Sequence, residues 1–419
     1  MIPVSTPKFE RCILHIGSGK TGTSSLQTSF FTARKYLATQ GYFYPNNGEN
    51  HIFLASRFRT DPREIAFHAR YGRITLDAIH HYDCDQMQRL EKDLAAFDGH
   101  TVIFSSEYFP PGSEQDCQKL RDYLLTWAKE IQIVCYVRHP VSHAVSRSQQ
   151  SLKMGFSTLD RPKETFFSPQ KILPKFVRVF GKDAVTVRAF ERDALQNGSV
   201  VSDFAALIGL SDDQQAHLQD KRGNESLSVE GAILSDALTR QFPRMVDGKW
   251  NPDRAQKITM MNIPGQKFTL PRSVLEGIME ECQPDIDYLQ NEFGLTLKAP
   301  DLPASDTLAP TWGQGTIDSI AARMNATELR IQHLEAELAL KDGMLLARED
   351  KPLKAIEKFK QSVALKQDNW PAISRLVHHL CRTRQKEEAA KRLAAYRDMN
   401  PDEERVLAIC EKYGLQLPA

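Results

Sequence analysis

Residues 15–27 read H-I-G-S-G-K-T-G-T-S-S-L-Q, between an apolar run and an amphipathic one, and few folds accommodate that order. Cys12-Ile13-Leu14 and Ile16 form a buried strand, Gly17, Gly19 and Gly22 a tight turn, and Ser24-Ser25-Leu26-Gln27 the start of a helix. Strand, glycine turn and helix N-terminus together make an anion cradle. Glycines let backbone N–H groups approach the anion, the helix end adds partial positive charge, and Lys20 adds a full one. Ser18, Thr21, Thr23 and Ser24 supply hydroxyls as further candidate ligands.

A nucleoside-triphosphate loop, G-x-x-x-x-G-K-[ST], matches only in its second half, Gly19-Lys20-Thr21. Its first glycine would fall on Leu14, inside the strand, so the turn is shorter and suits a smaller anionic group. The stretch resembles the 5′-phosphosulfate loop of sulfotransferases that use 3′-phosphoadenosine 5′-phosphosulfate (PAPS). A second stretch, Tyr136 to Ser146, places Arg138 at a strand end and Ser146 two helical turns later. An arginine there can pair bidentately with a phosphate and the serine can point a hydroxyl at the same anion. It resembles the 3′-phosphate signature of the same family, an arginine followed eight residues later by a serine.

The resemblance covers about residues 10–295 and includes Phe180-Gly181, Val187 to Arg192, Asp203-Phe204 and Lys221 to Ser228. It implies an α/β fold, a P-loop-like three-layer domain with a mainly parallel sheet. It implies transfer of a sulfuryl group from PAPS to an acceptor hydroxyl, on a carbohydrate or glycoconjugate, leaving adenosine 3′,5′-bisphosphate and requiring no metal. Lys20 would contact the bridging oxygen between sulfur and phosphate, and Arg222 would reach the 3′-phosphate from a basic loop. Glu107, following the third strand as Ser105-Ser106-Glu107, resembles the base of carbohydrate-type members; its competing role is an ion pair with Lys20 or Arg138. His51 is the rival base. Two other classes stay open: a P-loop kinase or NTPase using Mg-ATP, and a catalytically inactive nucleotide-binding scaffold.

Apolar runs at 41–45, 101–106, 131–137 and 184–190 are the other strands, with helices near 26–38, 120–128, 172–180, 200–208, 227–242 and 274–293. Strands alternating with helices argue for a parallel sheet with right-handed crossovers, and the cradle, Glu107 and Arg138 all fall at carboxyl ends of strands. The expected organisation is a catalytic domain over 1–297, a proline-rich linker over 298–316, a coiled-coil-like helix over 317–345 and a helical region over 346–419. Ile317, Ile320, Met324, Thr327, Ile331, Leu334 and Leu338 step by three and four, a heptad seam that either dimerises or packs back on its own domain. Ala355, Phe359 and Asp368 recur 34 residues later as Ala389, Leu393 and Asp402, the period of a tetratricopeptide repeat, whose use would be to dock a partner.

A formal charge of +1 across 419 residues leaves no nucleic-acid footprint. No apolar run approaches the roughly 20 residues of a membrane span, and Met1 to Glu10 carries no signal region, so the expected location is the cytoplasm. His80 to Asp85 is rich in metal-ligand types but has no second pair at zinc spacing, and His139 and His143 lack the acid of H-E-x-x-H. No metal site is expected in either place.

Overall fold

In the computed structural model, which describes residues 7–160, 165–219, 227–246, 249–254, 266–306, 314–400 and 404–418, the apolar runs become one sheet. Strands β1 (Phe9–His15), β2 (Tyr42–Phe43), β3 (Thr101–Ser105), β4 (Ala128–Val137) and β5 (Val185–Ala189) pair in parallel in the order β2-β3-β1-β4-β5. Side chains alternate across the pleat. Cys12, Leu14, Val102, Phe104, Ile133, Cys135 and Val137 pack on one face with Leu120, Leu124 and Phe176, from helices Glu114–Leu125 and Pro169–Phe180. Ile13, Ile103, Val134 and Tyr136 pack on the other with Leu26, Phe30 and Phe204, from helices Thr23–Thr39 and Val200–Leu207. Burial on both faces is why these strands read as unbroken apolar runs.

Topology then locates a crevice. The chain leaves the central strand β1 toward β2 on one side, and leaves β4 toward β5 on the other. Connections therefore diverge between β1 and β4, and an open parallel sheet receives its ligand beyond the carboxyl ends at such a point. The turn after β1 is held there by a close approach. Gly22 has φ +75, and a Cβ on it would come within 2.7 Å of Val200 and 2.9 Å of Phe190. Only glycine meets both conditions.

Arg188 and Asp203 form a structural tie. The Arg188 guanidinium meets the buried Asp203 carboxylate at 2.5 and 2.7 Å, and the Tyr136 hydroxyl donates to the same carboxylate at 2.7 Å. β4, β5 and the helix Val200–Leu207 are thereby fixed to one another.

The single helix expected over 274–293 is two, Arg272–Glu281 and Gln283–Phe293, divided at Cys282. Pro284 lacks the N–H that would continue the first helix and sits where the second can use it, in the opening turn. The heptad stretch lies within one 35-residue helix, Gln314–Arg348. Ile317 is buried, whereas Ile331, Leu334 and Leu338 are exposed; Ala336, Ala339 and Leu340 are the residues that pack. Helices Pro352–Leu365, Trp370–Arg382, Lys386–Met399 and Glu404–Tyr413 follow, and both starts of the first pair recur 34 residues later in the second. Ala355, Phe359, Ala389 and Leu393 are wholly buried in that array, and Asp402 lies outside the described residues.

The chain forms two compact units, neither continuous in sequence. The first takes its described residues from the spans 1–151, 160–229 and 265–309, the second from 152–159, 230–264 and 310–419.

Candidate functional site

Three backbone positions between β1 and the following helix have positive φ: Gly17 at 50°, Lys20 at 71° and Gly22 at 75°. For Lys20 the left-handed conformation costs about 1–2 kcal/mol, so the surroundings must hold it. Hydroxyls do much of the holding. Thr21 Oγ1 donates to the Ser18 carbonyl at 2.6 Å, Thr23 Oγ1 to the same carbonyl at 3.3 Å, and Ser18 Oγ to the Tyr136 carbonyl of β4 at 3.1 Å. A hydroxyl has one hydrogen to give. In this structure Thr21 and Thr23, expected as anion ligands, give that hydrogen to the Ser18 carbonyl and brace the loop from behind. Ser24 alone of the four is exposed, and it makes no hydrogen bond among the described residues.

Bracing the carbonyls aims the amides. In a planar trans peptide the C=O and the following N–H point opposite ways, so tying back the Ser18 carbonyl turns the Gly19 N–H outward. The Gly19 carbonyl is tied in turn, by His143 Nε2 at 2.8 Å. His143, in a stretch that lacks the acid of H-E-x-x-H, organises the loop. Its Nδ1 accepts from the Phe167 N–H at 3.2 Å, so the ring proton sits on Nε2 and is donated to Gly19. Burial lowers the His143 pKa to about 3, with Arg147, Arg138 and Lys20 pushing the same way against the Gly19 carbonyl. The ring stays neutral. Among the described residues the N–H groups of Gly17, Ser18, Gly19, Thr21 and Gly22 donate to nothing, although Ser18 and Thr21 are buried.

Basic side chains follow the same strand ends as these open amides. Lys20 Nζ reaches Gln150 Oε1 at 3.4 Å. Arg138, at the carboxyl end of β4, is half-buried, its pKa lowered by burial, and it makes neither ion pair nor hydrogen bond among the described residues. Ser146 is half-buried and likewise makes no hydrogen bond. Arg222 lies outside the described residues.

Glu107 stands two residues past the end of β3, half-buried. Its Oε2 accepts from Asn50 Nδ2 at 2.9 Å and from Gln27 Nε2 at 3.4 Å, and Asn50 is itself oriented by the Ser106 hydroxyl at 2.7 Å. Gln27 belongs to the helix that the cradle opens, so it ties the carboxylate to the cradle. Among the described residues Glu107 forms no ion pair with Lys20 or Arg138, and its Oε1 accepts no hydrogen bond. His51 is placed differently. It is wholly buried, its Nδ1 accepts from the Ser105 N–H at 3.0 Å, its ring lies against Tyr44 and Phe104, and burial lowers its pKa to about 3. The rival base is thus a core residue beneath the end of β3.

No protein-family model, curated protein or solved structure matches the chain significantly. Its own geometry defines a class: a parallel α/β domain in which a glycine loop with unpaired amides follows the central strand. No helix of the described residues is long and apolar enough to cross a membrane. Among the described residues no group of three or more His, Cys, Asp or Glu is arranged to hold a metal ion.

The neutral histidines make stability depend on pH. Burial lowers His15, His51 and His143 to about 3 and His68 to about 4, and raises the carboxyl of Asp83 to about 7. Unfolded histidines titrate near 6.5, so below that pH the unfolded chain binds protons that the folded chain refuses. Their contribution is complete above about pH 6.5 and is lost as pH falls to about 4 for His68 and about 3 for the other three. Asp83 acts oppositely: its contribution is present below about pH 4 and is lost as pH rises through 7. With four groups against one, urea unfolding should show stability rising from about pH 4.5 to 6.5, each net proton contributing about 1.4 kcal/mol per pH unit. A urea midpoint that does not move over this range would contradict the neutral, buried histidines.

Proposed function

We propose that the chain is a sulfotransferase that moves a sulfuryl group from PAPS to an acceptor hydroxyl, on a carbohydrate or glycoconjugate, by in-line displacement. The observation that carries the reading is that, among the described residues, loop amides after β1 and the guanidinium of Arg138 after β4 both lack a hydrogen-bonding partner. They lie beyond neighbouring strands, where connections diverge, and offer two places for anions. A donor with phosphate at both its 5′ and 3′ positions needs two.

In the proposed step Glu107 takes the acceptor's hydroxyl proton on its open oxygen as the acceptor O–S bond forms. The bond between sulfur and the bridging oxygen breaks, and its electron pair leaves with adenosine 3′,5′-bisphosphate. Lys20 opposes the negative charge that gathers on that oxygen. Asn50 and Gln27 hold the carboxylate, and His143 with the loop hydroxyls holds the amides. The glutamate base favours a sugar hydroxyl as acceptor. Action in the cytoplasm, and docking of a protein partner or a second copy through the C-terminal helices, complete the proposal.

A kinase or NTPase is disfavoured by Leu14, which is buried within β1 where the first loop glycine would be needed. The discriminating experiment is thermal stabilisation by adenosine 3′,5′-bisphosphate beside ADP and Mg-ATP. A ligand at about 100 times its Kd adds roughly 2.7 kcal/mol, and the bisphosphate alone is expected to act. Arg138→Ala should remove most of that stabilisation while leaving the smaller response to AMP unchanged. A response to Mg-ATP in place of the bisphosphate would overturn the reading.

A further inference from the structure

The helix Pro140–Met154 turns one face toward the cradle. Residues 143, 147 and 150 recur at i, i+4 and i+7, which places them in one row along a helix. Two of the three touch the loop: His143 donates to the Gly19 carbonyl at 2.8 Å, and Gln150 accepts from Lys20 at 3.4 Å. Arg147 lies between them and follows Ser146 directly. Its guanidinium is half-buried and makes no ion pair and no hydrogen bond among the described residues.

We infer that Arg147 is a third cationic ligand of the donor nucleotide, closing on the 3′-phosphate beside Arg138 and Ser146. The inference rests on the sulfotransferase reading. A guanidinium carries five donors in a fixed fork, and one taken partly out of water with no counter-charge is costly unless an anion meets it. No carboxylate on this helix face supplies one. The groups that bear on the charge of His143 are Arg147, Arg138 and Lys20, all cations. Lys20 stands in the cradle itself and serves the 5′ side. Arg138 and Arg147 belong to β4's end and to the helix that follows it, the side from which the second phosphate is held.

Calorimetric titration of the full chain with adenosine 3′,5′-bisphosphate and with AMP, for the wild type, Arg147→Gln and Arg147→Lys, tests this. Arg147→Gln is expected to bind the bisphosphate about 10- to 100-fold more weakly, the loss of a charge-assisted hydrogen bond. AMP affinity should stay within about twofold, because AMP lacks the group concerned, and Arg147→Lys should recover part of the loss. The unliganded melting temperature of Arg147→Gln should be no lower than that of the wild type, since no bond within the protein is removed and an uncompensated charge is relieved. Unchanged bisphosphate affinity in Arg147→Gln overturns the inference and leaves the sulfotransferase reading standing. Equal losses for both nucleotides also overturn it, moving Arg147 to the 5′ side or to a structural role. A wild type that binds neither nucleotide overturns the functional reading and this inference together.

Discussion

Glutamine in place of Glu107 is expected to lower turnover by about 10²- to 10⁴-fold, the range for loss of a general base, while bisphosphate affinity stays within about threefold. The two effects separate because the site can keep its shape. The glutamine carbonyl can accept from Asn50 and Gln27 as Oε2 does now, and the change falls on the open oxygen. What is lost is the ability to take a proton. Transfer of labelled sulfate, measured beside calorimetric binding, would show both. Turnover above about one tenth of wild type, well outside the range for a lost base, would remove Glu107 from the reaction. His51 would not replace it, being wholly buried with its Nδ1 engaged by the Ser105 amide.

Lys20→Gly should set activity against stability. Loss of a group that stabilises charge only in the transition state costs about 10²- to 10³-fold in kcat. The same change relieves a left-handed residue: at φ 71° glycine avoids a penalty of about 1–2 kcal/mol, part of which its freer unfolded chain takes back. A net gain of up to about 1 kcal/mol in urea unfolding should therefore accompany the fall in turnover. Such opposition is what a strained residue retained for function predicts. Loss of turnover matched by loss of stability would instead make Lys20 a structural residue.

Much of this site could be read from residue order. Gly17, Gly22 and the apolar runs on either side of them announce strand, turn and helix, and Arg138 and Glu107 declare their place by following runs that could only be strands. The recurrence of Ala355 and Phe359 as Ala389 and Leu393 anticipates helix starts 34 residues apart. Other features depend on contacts between distant residues. Thr21 and Thr23 look the same in sequence whether they face an anion or the Ser18 carbonyl, and only the fold of the turn decides. His143 takes its role from Gly19, 124 residues away, although the row 143, 147 and 150, soon after the strand-end Arg138, is visible in the sequence. His51 reads as a loop histidine until β3 packs over it. Strand order, which places β1 beside β4, is set by long-range pairing that local pattern does not encode.

The division of the chain also bears on its ancestry. The backbone passes between the two units five times, after residues 151, 159, 229, 264 and 309. Appending a helical tail to a finished α/β domain by one gene fusion accounts for one passage and leaves four unexplained. Asn325 of the long helix donates to the Asp253 carbonyl at 2.7 Å, so a segment encoded upstream of residue 297 is completed by one encoded downstream of it. A recombination breakpoint at the apparent linker would separate the second unit's C-terminal helices from the upstream segments 152–159 and 230–264 that belong with them.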